Sequence, residues 1–284
     1  MLIVGTGAIA TLFAQRLEQA GSSFQMFGPP SQRTGILESR FPGSVVTVAH
    51  EVTPHRLWVV CLKSWQNRDK VKALRSAPAP SAVLVVQNGL EPENDWNTLC
   101  PGGVERALCS YGVRTISPGV IQGGEEGQLV LPEGSCFSAP LEEAGFECRE
   151  TGNLTRAVWH KLAVNASLNV AAAVFGLKNG EVLSHPQAAL LAQAASQEVR
   201  LLAISCGVDW GEADPWSITR KVAYQTRENV CSTLADLRVG RPTEYNSING
   251  RLLDLAERVG LPVPALRELD LRFGVAEVGL EAAC

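Results

Sequence analysis

Met1-Leu2-Ile3-Val4-Gly5-Thr6-Gly7-Ala8-Ile9-Ala10 opens the chain, and Leu12, Phe13, Leu17 and Ala20 then keep helical spacing as far as Gly21. A short apolar run, a glycine break and a period near 3.6 predict strand, tight turn and helix. The glycines read Gly-x-Gly-x-x-Ala, a dinucleotide-binding fingerprint with Ala10 in the third place. Gly5 permits the turn, Gly7 lets backbone approach a pyrophosphate, and the helix start offers unpaired N–H groups at the positive end of its dipole. Gly5, Thr6, Gly7, Ala8, Ile9 and Ala10 are therefore candidate cofactor-binding residues. Ordinary strand-to-helix turns also produce this pattern; its place directly after the first strand favours the nucleotide.

Outward from that turn, Ser23 to Phe27 reads as a second strand, followed by Gly28-Pro29-Pro30-Ser31-Gln32-Arg33. An Asp or Glu for a ribose 2′-hydroxyl is missing here, whereas Ser31, Gln32 and Arg33 suit a 2′-phosphate. NADP is the expected cofactor with Arg33 as its charge partner; NAD, with Arg33 merely solvated, is the alternative. Further strands are expected at Val45 to Val48, Leu57 to Leu62 and Val83 to Val86, the last two running into Lys63 and into Gln87-Asn88-Gly89-Leu90. Ligands of open parallel sheets sit beyond the carboxyl ends of strands, where Lys63 and Asn88 fall. A surface lysine and a turn Asn-Gly are the plainer readings. Ser110 to Pro140, rich in glycine and proline, reads as strands and hairpins closing the sheet. Near Cys148 to Asn153 the pattern changes to long helix, which predicts an α/β Rossmann-type dinucleotide-binding domain over 1–152 and an all-α domain over 153–284.

In the second half, Lys161, Asn165 and Asn169 recur at i, i+4 and i+8 among Leu, Ala and Val. Such spacing places a polar stripe roughly 12 Å long on one helical face. Amides and an ammonium in apolar surroundings need partners, which either the core or a ligand supplies. Helices are also expected over Pro186 to Ile204, Pro215 to Leu237 and from Pro242 to Gly260. Thr243 is a candidate N-cap, with Glu244 in the first turn, where a carboxylate suits the helix dipole.

With 284 residues, 45% hydrophobic and 19% charged, the chain has enough apolar material for two domains. A net charge of −4 and no Lys/Arg cluster argue against nucleic acid. The apolar start lacks a basic region and contains Gly5 and Gly7, so it is not read as a signal peptide. Asn165, Asn169 and Lys178 interrupt the best membrane-span candidate, and a cytoplasmic protein is expected. The eight cysteines form no Cys-x-x-Cys pair and the four histidines do not cluster with them, so no metal is expected.

Taken together, Gly5-x-Gly7, Lys63, Gln87-Asn88-Gly89, Lys161-Leu-Ala-Val-Asn165-x-x-x-Asn169, Asn179-Gly180-Glu181, Asn229-x-x-Ser232 and Thr243-Glu244-x-x-x-Ile248-Asn249-Gly250 resemble the ketopantoate reductases (2-dehydropantoate 2-reductases). The resemblance runs in order along nearly the whole chain. It implies NADPH-dependent reduction of 2-dehydropantoate to pantoate, in pantothenate and coenzyme A synthesis. By position it implies Lys161 as catalytic lysine, Glu244 as active-site carboxylate also near the cofactor, and Asn165, Asn169, Asn179 and Ser232 as substrate contacts. Asn88 matches a residue between nicotinamide and substrate, and Val113 one whose backbone touches the cofactor. The family's arginine after the second strand is replaced by Gly28-Pro29-Pro30, leaving Arg33 to recognise a 2′-phosphate. A small 2-oxo acid is the expected partner. The same residues are compatible with another branched 2-oxo acid, with a non-catalytic NADP(H) sensor, and with a homodimer through the helical half.

Overall fold

A computed structural model describes residues 1–28, 48–49, 51–117 and 120–281. The chain forms two compact units, Met1–Gln87 with Glu91–Leu154, and Asn88–Leu90 with Thr155–Cys284.

The first unit is built on six parallel strands, β1 (Leu2–Val4), β2 (Gln25–Phe27), β3 (Val48–Ala49), β4 (Leu57–Val60), β5 (Ala82–Val85) and β6 (Val104–Arg106), in the order β3-β2-β1-β4-β5-β6. Strands buried on both faces must be apolar throughout, and Leu2, Ile3, Val4, Trp58, Val59, Val60, Val83, Leu84 and Val85 are all fully buried. Alternate side chains serve opposite layers. Ile3, Val59 and Leu84 meet Phe13 and Leu17 of α1 (Ala8–Gln19). On the other face, Leu2, Val4, Trp58 and Val60 meet Trp96 and, in α2 (Asn67–Ala73), Val71. Burying each such side chain contributes about 1.5–3 kcal/mol. The strand order reverses between β1 and β4, the switch point at which doubly wound sheets bind ligands. Of the strand expected at Val45 to Val48, residues 45–47 lie outside the described residues.

The segment expected to close this sheet does not join it. β7 (Leu108–Cys109), β10 (Leu129–Pro132) and β11 (Cys148–Thr151) form a separate sheet, with α3 (Ser138–Glu143) between the last two. β8 (Val113–Ser117) and β9 (Val120–Gly123) form an antiparallel hairpin. Arg114, Thr115, Ile116 and Ser117 are exposed, and a strand this polar cannot be buried on both faces. Arg16, in the last turn of α1, ties these additions to the core. Its guanidinium carbon lies 4.5 Å from the Tyr111 ring centre and 4.6 Å from that of Phe146, and it donates to the Gly124 carbonyl at 2.7 Å.

The second unit comprises α4 (Leu154–Val164), α5 (Val170–Phe175), α6 (Asn179–Ser184), α7 (Pro186–Ser205), α8 (Pro215–Gln225), α9 (Ser232–Leu237), α10 (Arg251–Val259) and α11 (Pro264–Glu281). α7 buries Ala188, Ala192, Ala195, Ser196 and Ala203, small residues that let neighbouring helices approach. Pro215 to Leu237, expected as one run, is two helices. The carbonyls of Arg227 and Asn229 accept from Gly180 N–H at 3.1 Å and Asn179 N–H at 3.0 Å, so they serve the start of α6 instead of continuing α8. The buried Glu198 carboxylate caps α11, accepting from Ala265 and Leu266 N–H at 2.7 and 2.8 Å. Among the described residues, no helix is long and apolar enough to cross a membrane.

Candidate active site

At the switch point, Gly5 has φ +130°, and a Cβ on it would lie 2.8 Å from the Cys61 carbonyl oxygen, so no other residue fits there without displacing β4. Gly7 differs: its φ of −77° is open to any residue, but no atom lies within 4 Å of where its Cβ would be. Gly7 is the N-cap of α1, with no side-chain cap and no acidic residue in the first turn. Open space in front of uncapped, positively polarised N–H groups suits a phosphate. Ala10 is fully buried against the sheet, which accounts for the small third residue of the fingerprint.

Lys63 lies three residues beyond the end of β4 and caps a short 3₁₀ turn, Ser64–Gln66, its N–H donating to Gln66 Oε1 at 3.0 Å. Beneath it, Gln87 and Asn67 exchange amide hydrogen bonds of 2.7 and 3.0 Å, and Gln87 also donates to the Leu62 carbonyl at 2.9 Å. This buried pair fixes the end of β5 to the start of α2. Sequence reading missed Asn67, because an amide in an otherwise charged helix looks like a surface residue. Val113 is half-buried against the α1 core. Arg33, Ser31 and Gln32 lie outside the described residues.

In the second unit, Lys161, Asn165 and Asn169 are each partly exposed, between the buried runs Leu162–Val164 and Ala166–Leu168. The stripe is thus an edge rather than a core feature. Over eight residues a regular α-helix would rotate Asn169 about 80° away from Lys161. Asn165–Asn169 is instead a π-helical turn, whose i→i+5 bonding takes fewer degrees per residue and draws Asn169 back towards the stripe. Asn169 Nδ2 donates to Asn165 Oδ1 at 3.1 Å. Three side chains bond carbonyls in and around the wide turn: Ser167 Oγ to Ala163 at 2.6 Å, Asn249 Nδ2 to Ala166 at 3.1 Å, and Cys231 Sγ to Asn169 at 3.3 Å.

A second π turn spans Asn246–Gly250, where Arg251 N–H bonds the Asn246 carbonyl five residues back. Glu244 does not lie in the first helical turn as expected. Its carbonyl accepts the first N–H groups, from Ser247 at 3.1 Å and Ile248 at 3.2 Å, which makes it the cap residue. The side-chain cap is nevertheless Thr243, whose Oγ1 accepts from Tyr245 N–H at 3.2 Å. Glu244 Oε2 accepts from Asn88 Nδ2 at 3.0 Å. The 88–90 segment is seated by Leu90 N–H on the Ser247 carbonyl at 3.0 Å, and Gly89, φ +104°, is pressed against the same residue.

Asn179 is buried at the start of α6 and donates to Thr226 Oγ1 at 2.8 Å, while its Oδ1 has no hydrogen-bond partner. Ser232 is exposed at the start of α9. Its neighbour Cys231 is the N-cap, accepting from Leu234 N–H at 3.4 Å, and burial pushes this thiol up to about 11, keeping it a neutral donor to Asn169. The structure thus joins Lys161, Asn165 and Asn169 along one edge and Asn88 with Glu244 in a direct bond. It links the two groups through Asn249, which the motif contains but to which sequence reading gave no role.

Comparison with known proteins gives matches to both halves of the chain. The family "Ketopantoate reductase PanE/ApbA" matches residues 1–135 and "Ketopantoate reductase PanE/ApbA C terminal" matches residues 153–269. A 2-dehydropantoate 2-reductase of Archaeoglobus fulgidus is 28% identical over 280 residues, 94% of both chains. One from Escherichia coli O157:H7 is 30% identical over 222 residues, 73% of this chain and 70% of the relative. Among solved structures, a PanE/ApbA family ketopantoate reductase from Ralstonia eutropha JMP134 superposes with TM-score 0.87 at 24% identity, covering 99% of this chain and 100% of that one. The fold also matches D-mandelate dehydrogenase with NADH and anilino(oxo)acetate, at TM-score 0.88 and 17% identity over 99% of each chain. Matches to both halves, together with full-length relatives of one name, place the chain in the ketopantoate reductase (PanE/ApbA) family.

Proposed function

We propose that this protein catalyses NADPH-dependent reduction of 2-dehydropantoate to pantoate, a step towards pantothenate and coenzyme A, with Lys161 as general acid. The observation that carries the reading is the aligned edge of Lys161, Asn165 and Asn169 in a chain whose relatives are named 2-dehydropantoate 2-reductases. The open space before Gly7 and the uncapped start of α1 fit a pyrophosphate held by Gly5, Thr6, Gly7, Ala8, Ile9 and Ala10. Lys63, Asn88, Val113 and Glu244 complete the proposed cofactor contacts, with Arg33 for the 2′-phosphate. Bound NADPH supplies the hydride.

Reduction of a 2-keto carbon leaves negative charge on its oxygen. The Lys161 ammonium stabilises that charge and gives the oxygen its proton, completing the C–O–H group. Asn165 and Asn169 offer amide donors to the substrate carboxylate or keto oxygen, and Asn179 and Ser232 hold the far end of the substrate. Glu244, bonded to Asn88, accepts from the substrate hydroxyl or orients Lys161. A cytosolic setting fits cysteines that are all free thiols among the described residues. A homodimer through the helical unit belongs to the same reading and is checked by light scattering.

The test is NADPH oxidation followed by absorbance with 2-dehydropantoate, repeated with NADH and with 2-oxoisovalerate. Turnover specific to 2-dehydropantoate and NADPH is expected. Preference for NADH would transfer the cofactor assignment to NAD and remove the role of Arg33. NADPH binding without reduction of 2-dehydropantoate would overturn the substrate.

A further inference from the structure

Asn249 is completely buried, yet its side chain leaves its own helix to donate to the Ala166 carbonyl at 3.1 Å. The donor belongs to one π turn, Asn246–Gly250, and the acceptor to the other, Asn165–Asn169, and the two turns pack together. A wide turn leaves a carbonyl misaligned with the helical ladder, and α-helix is regained when nothing else satisfies that carbonyl. The first turn carries Asn165 and Asn169 in line with Lys161. The second begins at the Glu244 carbonyl and seats Asn88–Leu90 through Ser247.

We infer that Asn249 is a positioning residue that holds the 165–169 turn in its wide form and so keeps Lys161, Asn165 and Asn169 in register with the Asn88–Glu244 pair. The inference rests on the proposed reductase reading only for its activity readout. Without the amide, Ala166 has no donor from the second turn, the 165–169 segment relaxes towards regular α-helix, and the stripe turns out of line. Asn249 touches neither substrate nor cofactor in this scheme.

Two variants test it. In Asn249→Ala, kcat for 2-dehydropantoate is expected to fall on the order of 10²-fold, the effect of a displacement near 1 Å at a reacting group. NADPH affinity should stay within about twofold, because the glycine turn lies in the other unit and the proposed cofactor contacts Asn88 and Glu244 keep their own bond. Hydrogen exchange at amides 165–171 should accelerate. In Asn249→Asp, the introduced carboxyl donates only when protonated, so kcat relative to the parent protein should recover as pH falls through its burial-raised pKa. A folded Asn249→Ala protein with unchanged kcat and unchanged exchange overturns the inference. If that variant does not fold, a flat pH ratio in Asn249→Asp with kcat well below the parent overturns it. Should the parent protein not reduce 2-dehydropantoate, the function falls, while the exchange comparison still decides the role of Asn249.

Discussion

Replacing Gly89 by alanine probes the seating of Asn88 directly. The φ of +104° is one that L side chains rarely adopt, and the new Cβ would lie 2.7 Å from the Ser247 carbonyl oxygen and 3.2 Å from Ser247 Cβ. That oxygen also accepts the Leu90 N–H at 3.0 Å, so it cannot swing aside. Relief to ordinary contact requires the 88–90 segment and the 246–250 turn to part by ~0.5 Å. The Asn88–Glu244 bond starts at 3.0 Å, and such a separation carries it beyond the usual hydrogen-bond range. Backbone strain contributes about 1–3 kcal/mol, and each kcal/mol lowers the unfolding midpoint by roughly 2–4 °C. Displacement on this scale beside the proposed reacting centre is expected to lower kcat by about 10- to 100-fold. The assay pairs thermal unfolding with steady-state turnover of the purified Gly89→Ala protein. An unchanged midpoint together with turnover within about twofold of the parent would refute the argument that this contact sets Asn88.

Lys161→Ala is expected to lower kcat by about 10²- to 10⁴-fold with little change in NADPH affinity; fluorescence titration showing a comparable loss of affinity would make the lysine structural. Glu198→Gln replaces one of two carboxylate oxygens at the start of α11 by an NH₂ facing a peptide N–H, and should cost about 1–3 kcal/mol in denaturant unfolding. For His160, burial lowers the pKa, with Arg156 adding to the effect and the Trp210 carbonyl opposing it. The fold therefore favours the neutral ring, so the stabilisation is present above the unfolded value of 6.5 and is lost as pH falls through the lower folded value. His160→Gln should abolish that part of the acid sensitivity, which urea midpoints measured on both sides of about pH 6.5 would reveal.

What the sequence disclosed and what it concealed divide along the range of the interactions. Gly5 is legible because its constraint is local, a turn whose neighbour lies one strand away, and the apolar runs of β1, β4 and β5 are legible because burial on both faces leaves no other composition. The partners of β7, β10 and β11 were not, since strands of two to four residues do not say with which strand they pair. Nor was the break after Gln225, where the carbonyls of Arg227 and Asn229 are claimed by residues some fifty positions earlier. The stripe of Lys161, Asn165 and Asn169 was visible as spacing. The wide turn that aligns it was not, because its donors, Asn249 and Cys231, come from elsewhere in the chain.

Arg16 has a further consequence. Held between the Tyr111 and Phe146 rings and bonded to Gly124, it clamps the last turn of α1, while Ala10, Phe13 and Leu17 bed the same helix on the sheet. A helix fastened along its flank and at its tail cannot tilt, so the amides at its head keep a fixed bearing before any ligand arrives. The ordering entropy of the proposed anion cradle is thus met during folding rather than on each encounter. Loosening Arg16, far from the glycines, would then show itself as a slower and weaker capture of phosphate with every contacting atom still in place.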